Sequence, residues 1–277
     1  MIMKKNPFSI YDFLGYVFPG AFAILVFRLI CHAGSNISLS ALESFVSILK
    51  GLSLEDTLWF ILASYIVGHV VAYASSLTIE PFSVWRYGYP SSFLLGEKRT
   101  YYSLPKDGRW LKLCVLSWKT LVAIFVLPIT LCSFTIGDCL HFKAYSLKVL
   151  DAYLIDCIIH KSAMLIRKLN LPDLEVEDID FHRIIYHYEY EKKNVHAVKM
   201  DNYVALYGFM RALTFICNCC FLYYVYTVID RHLYSKIHLI YGIGIMLLTY
   251  FFFLAFMKFY RRFTLESFMC LVTDEDL

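Results

Sequence analysis

The chain has 277 residues, 59% hydrophobic and 18% charged, with a mean hydropathy of +0.56. That apolar share is more than a water-soluble domain carries, so composition excludes an ordinary soluble globule and places the chain in a membrane class. A net charge of +3 gives no reason to expect bulk nucleic-acid binding, and nine cysteines without paired spacing point to a reduced compartment rather than a disulfide framework.

Lys4 and Lys5 precede an apolar run with no small-residue cleavage pattern, which predicts an uncleaved first span from roughly Tyr11 to His32. Pro19-Gly20 should bend it, and Arg28 can snorkel to a headgroup layer. Ser40-Ala-Leu-Glu43 has capping-box spacing ahead of Phe45, Ile48 and Leu49, predicting a short surface helix. Asp56 then caps a second span, Thr57–Ile79, which is 23 residues without a formal charge and ends at Glu80-Pro81. At about 1.5 Å per residue this length crosses a bilayer core of about 30 Å. Ser64, Gly68, Ala72 and Ser76 recur along it at every fourth residue, a strip on which a second backbone can approach closely.

Residues 80 to 112, with Pro81, Pro90, Pro105, Gly88, Gly96 and Gly108, read as a basic loop. The apolar segment 113–137 is long enough to span but holds Lys119 and is broken by Pro128. From 138 to 202 the chain is polar and helix-like, with Leu147, Leu150, Leu154 and Ile158 on one face, continued by Leu165, Ile166 and Leu169 up to Pro172. An acidic run from Asp173 to Asp180 separates this helix from the next. Tyr203–Ile229 and Leu239–Met257 form a last apolar hairpin, closed by Lys258, Arg261 and Arg262 and followed by an acidic tail.

The fold class is therefore an all-α integral membrane protein with four transmembrane helices, or five if 113–137 crosses, and a helical cytoplasmic region. With four crossings and both termini inside, 20 Lys/Arg lie on the inner side against 3 outside; five crossings give no such bias. The domains follow as an N-terminal pair (1–79), a cytoplasmic region (80–202, including 113–137), a C-terminal hairpin (203–260) and a cytoplasmic tail (261–277).

Ionisable and polar groups inside spans flag a cavity, a pore or a partner. His69, Arg211 and Asn218 are those groups, joined to the Ser64, Gly68, Ala72 and Ser76 strip as pore or packing residues. Each also has a quieter reading: His69 hydrogen-bonded across the strip, Arg211 snorkelling, and Asn218 bonded across the bundle. For a cytosolic ligand, aromatic rings that stack bases and cations that hold phosphate are needed together. The candidates are Arg86, Lys98, Arg99, Lys106 and Arg109 in the loop, and Arg183, Tyr186, His187, Tyr190, Lys192 and Lys193 in the middle region. A solvated helix face, or attraction to the anionic inner leaflet, explains the same residues.

Enzyme signatures are weak. Cys139-x-His141 and Cys157-x-x-His160 resemble zinc half-sites at spacings that fit no strong pattern, so neither a metal nor another cofactor is expected. Arg231 and His238 match the Arg-x6-His spacing of HEPN ribonucleases but fall in the outer loop of the four-span topology. No phosphate loop, nucleophile elbow or His-Glu-x-x-His is present.

The opening Tyr11-Asp-Phe-Leu-Gly-Tyr16 with Pro19-Gly20, the Gly68-His69 span and Tyr203-x-Ala-Leu-Tyr-Gly-Phe-Met-Arg211 resemble small membrane proteins of bacterial anti-phage defence loci. The resemblance implies a channel-type effector, as in Hailong-type systems. Such an effector would be a homo-oligomer in the bacterial inner membrane, opened by a cytosolic nucleotide or oligonucleotide that a partner enzyme makes. A non-conducting membrane anchor that recruits a cytosolic partner through residues 138 to 202 is the alternative.

Overall fold

The computed structural model describes residues 12–33, 53–96, 101, 108–139, 148–171, 181–192 and 194–277. Among these the chain is helical and contains no strand. The predicted surface helix at residues 40 to 49 and the acidic run at 173 to 180 lie outside the described residues.

The first helix opens with a π-helical turn, Phe13–Val17, and continues as α1 (Phe18–Ala33). Pro19 has no N–H to donate to Gly15, so the ladder slips by one residue and the Phe18 N–H reaches back to the Phe13 carbonyl. The bend expected at Pro19-Gly20 takes this form.

Helix α2 (Leu54–Tyr87) begins in a capping box. The Ser53 hydroxyl accepts from the Asp56 N–H at 3.1 Å, and the Asp56 carboxylate accepts from the Ser53 N–H at 3.1 Å. The helix does not stop at Glu80-Pro81. It runs on through Pro81 to Tyr87, where Gly88 at φ 85° turns the chain. Glu80–Tyr87, the short helix α3 (Pro90–Leu94) and the first residues of α4 therefore replace much of the loop predicted for 80 to 112.

Helix α4 (Arg109–Phe125) and helix α5 (Leu127–Cys132), the latter continued by a π-helical stretch Ser133–Cys139, meet at Val126 with an 89° bend. Pro128 explains the break, because it removes a ladder donor and biases the residue before it away from the helical region. Helix α6 (Ala152–Lys168) buries Ile158, Leu165 and Ile166, and it ends before Pro172, at Asn170 in the left-handed conformation (φ 50°). Helix α7 (Phe181–Lys192) follows.

Helices α8 (Asn194–Asp230) and α9 (Lys236–Val272), of 37 residues each, pair along their length as a hairpin. Each is about 55 Å long, well beyond a bilayer core. Helix α9 runs on past Met257 to Val272, into the segment 261–277 predicted as a tail. Its last turns bury Phe268 and Leu271 in one core with Ile158 and Leu165 of α6 and Ile185 of α7. These ends form a helical body. Across the rest of the bundle an aromatic core of Phe82, Phe253 and Phe256 joins α2 to α9.

Among the described residues four helices are long and apolar enough to cross a membrane: Phe13–Cys31, Leu54–Leu94, Val198–Asp230 and Lys236–Val272. The bent pair α4 and α5 passes the same test only as a broken unit.

Candidate functional site

The second half of α2 carries the charges that the apolar helices enclose. Glu80 and Arg86 stand six residues apart, and each finds its counter-charge on a distant element. Arg211 of α8 pairs with Glu80, and Asp138, at the end of the π-helical stretch, pairs with Arg86. The arginine side chains are only 15% and 16% exposed. In both, the Nε is buried with no hydrogen-bond partner among the described residues. The Arg86 guanidinium also lies 4.3 Å from the Phe134 ring centre and 5.8 Å from that of Tyr87.

Three further polar contacts surround the bend. Lys119, 4% exposed, donates to the Tyr101 carbonyl at 2.9 Å, while the Tyr101 hydroxyl donates back to the Lys119 carbonyl at 2.8 Å. The Lys119 ammonium sits 5.5 Å from the Trp85 ring centre. Asn218, fully buried in α8, donates from Nδ2 to the Phe125 carbonyl at 3.0 Å, the carbonyl that the break at Val126 releases. Thr130 donates to the Ala123 and Val126 carbonyls at 2.9 and 3.1 Å. Gly137 lets the Tyr250 hydroxyl come close, since a Cβ there would lie 2.9 Å from it.

Chemically, this belt holds two opposite-charge pairs, a buried ammonium and a carboxamide at a helix break. Charges so placed are held by mutual attraction at the expense of their hydration, and removing one partner leaves the other stranded. Lys119 and Asp138, on the two arms of the bend, reach the consecutive α2 residues Trp85 and Arg86.

The predicted residues are distributed as follows. Ser64 and Gly68 are buried, but Ala72 and Ser76 are only half-buried, and the buried line continues through Val71, Ser75 and Ile79. A strict four-residue repeat drifts about 40° per step on a 3.6-residue helix, so the strip rotates out of the contact. What it meets is α1 of the same chain. His69 is not in that seam; it is exposed, stacked on Tyr16 at 3.9 Å and edge-on to Tyr65 at 4.6 Å. Arg211 pairs with Glu80.

The described ligand candidates belong to three helices, α2, α4 and α7. Arg86 is engaged by Asp138, and the Tyr186 ring packs against Phe263 at 5.3 Å. Arg109 is exposed at the start of α4, and Arg183 and His187 are exposed on α7. Tyr190 and Lys192 belong to α7, and their side chains lie outside the described residues, as do Lys98, Arg99, Lys106 and Lys193 altogether. Cys157 and His160 sit on α6, while His141 and the Cys139 side chain lie outside the described residues. Among the described residues no three His, Cys, Asp or Glu side chains converge as a metal site would require. The His238 ring meets the Tyr224 hydroxyl at 3.2 Å.

Sequence reasoning missed Glu80 and Asp138. Both sit at the edge of an apolar run, where a charge reads as the end of a span. The available signal was Arg211, a cation inside a span that called for an acid. No protein family, no curated protein and no solved structure matches the chain.

Proposed function

We propose that the chain is a multi-pass membrane protein acting as an oligomeric channel-type effector, with both termini and the helical body on the cytosolic side. The observation that carries this reading is the two half-buried ion pairs that share α2, Glu80–Arg211 and Arg86–Asp138, the second of which ties α2 to a broken helix. Charges held inside apolar helices are costly and mark permeation or switching elements, whereas a passive anchor has no use for them. The bend supports four crossings. Its arms at Lys119 and Asp138 return to neighbouring positions on α2, as a re-entrant hairpin does, and the distribution of Lys/Arg favours the same topology. The resemblance to defence effectors adds a cytosolic nucleotide or oligonucleotide as the opening signal, received by the body through exposed Arg183 and His187. Purified protein in planar bilayers, with and without candidate nucleotides, tests this: ligand-dependent current is expected, and no current together with a monomer in detergent rejects it.

One observation favours the second reading, a non-conducting anchor. The small-residue seam is occupied within the chain by α1, so it does not serve to join subunits. A stoichiometric cytosolic partner co-purifying with the body, with membrane permeability unchanged on overexpression, would establish the anchor.

A further inference from the structure

Helix α2 has a second stripe, exposed along its length and flanked at His69 by Tyr16 of the first helix. Trp59, Leu62, Ile66, His69 and Tyr73 follow one another at intervals of three, four, three and four residues, and all are exposed, Trp59 at 63% and Tyr73 at 68%. That 3.5-residue period is the seam spacing of helices that coil around each other. Trp59, Leu62 and Ile66 would be equally content against lipid. His69 would not. Its ring stacks on Tyr16, but among the described residues no hydrogen bond reaches either ring nitrogen, nor the Tyr73 hydroxyl.

The inference rests on the reading of α2 as a membrane span. His69 then lies 13 residues past Asp56, about 20 Å along the helix, where its short side chain reaches neither headgroup layer. Acyl chains offer no hydrogen-bond partner at that depth. We propose that this face of α2 is the contact between copies of the chain, the same stripe of a second copy being the partner. The neutral imidazole and the phenol each carry a donor and an acceptor, and they stand about one helical turn apart. Subunits related by an axis along the membrane normal hold equal residues at equal depth, so each stripe supplies the groups the other lacks. Trp59, Leu62 and Ile66 fill the remainder of the seam by packing.

The test is disulfide cross-linking in native membranes. Ile66→Cys is oxidised with copper phenanthroline beside the wild-type chain, which controls for native cysteines, and beside Phe251→Cys, which is 65% exposed on α9. A dimer well above both controls is expected from Ile66→Cys. Adding His69→Leu and Tyr73→Phe should lower that yield about tenfold, while His69→Gln, which keeps a donor and an acceptor, should retain it. An Ile66→Cys yield no higher than wild type, from a chain with wild-type thermal stability, overturns the proposal. Cross-linked copies that pass no current remove the channel reading and leave the seam standing; current from chains that do not cross-link at Ile66→Cys does the reverse.

Discussion

Gly20 of α1 and Gly68 of α2 meet with no side chain between their backbones. A Cβ on Gly20 would overlap the Ser64 carbonyl and come within 2.6 Å of the Gly68 nitrogen, and one on Gly68 would overlap the Tyr16 carbonyl. Because the obstacles are backbone atoms, no rotamer change relieves the clash. Gly68→Ala should lower stability by about 3 kcal/mol, at the upper end for overpacking. Gly208 of α8 supplies the contrast, since a Cβ there meets nothing within 4 Å. Gly208→Ala should stabilise by roughly 0.5–1 kcal/mol through helix propensity. Thermal unfolding in detergent reads both.

The Glu80–Arg211 pair should behave as a unit. Arg211→Met strands the Glu80 carboxylate and Glu80→Leu strands the guanidinium, each at about 3–5 kcal/mol. The double substitution removes both charges and should unfold closer to wild type than either single one. Melting temperatures of the four proteins form a double-mutant cycle, and simple addition of the two losses would show that the pair is not coupled.

Asn218 should hold the bend at Val126. In Asn218→Leu the Phe125 carbonyl loses its 3.0 Å partner. A buried acceptor left unsatisfied costs about 1–3 kcal/mol. Because the helix is already broken there, the loss should loosen the angle between α4 and α5 as well as lower the melting temperature. Spin labels at Trp110 and Leu131, on either side of the bend, should show a broader distance distribution in the variant.

The helices were plain in the sequence because uncharged runs of span length permit little else. Their ends were not. Glu80 reads as the end of α2 because its counter-charge is 131 positions away in sequence, and Pro81 reads as a stop although a long helix packed on both sides tolerates the one missing hydrogen bond. The same limit hid Asp138 and misplaced His69. Composition marked Ser64 and Gly68 as a close-approach surface, but the 3.6-residue turn, not the four-residue repeat, decides that Val71 and Ser75 carry it onward while Ala72 and Ser76 rotate away. Arg211 and Asn218 stood out as polar groups in apolar runs, and only the packed structure shows that they meet Glu80 and the Phe125 carbonyl.

The segment after α9 should open locally when its clamp is removed. Lys161 of α6 donates to the Asp274 carbonyl at 2.6 Å and to the Leu277 oxygen at 2.9 Å, and Lys168 donates to the Asp276 carbonyl at 3.0 Å. The Tyr188 hydroxyl of α7 donates to the Asp274 carboxylate at 3.0 Å, tying the same segment to a second helix. Lys161→Met keeps most of the aliphatic stem and removes two charge-assisted hydrogen bonds, each worth about 1.5–3 kcal/mol before solvent competes for the partly exposed groups. Amide hydrogen exchange in residues 273 to 277 should therefore speed up by one to two orders of magnitude, while exchange in the core of α9 and the melting temperature stay near wild type. A global loss of stability in Lys161→Met would mean instead that this segment is a structural part of the body and not a strap laid over it.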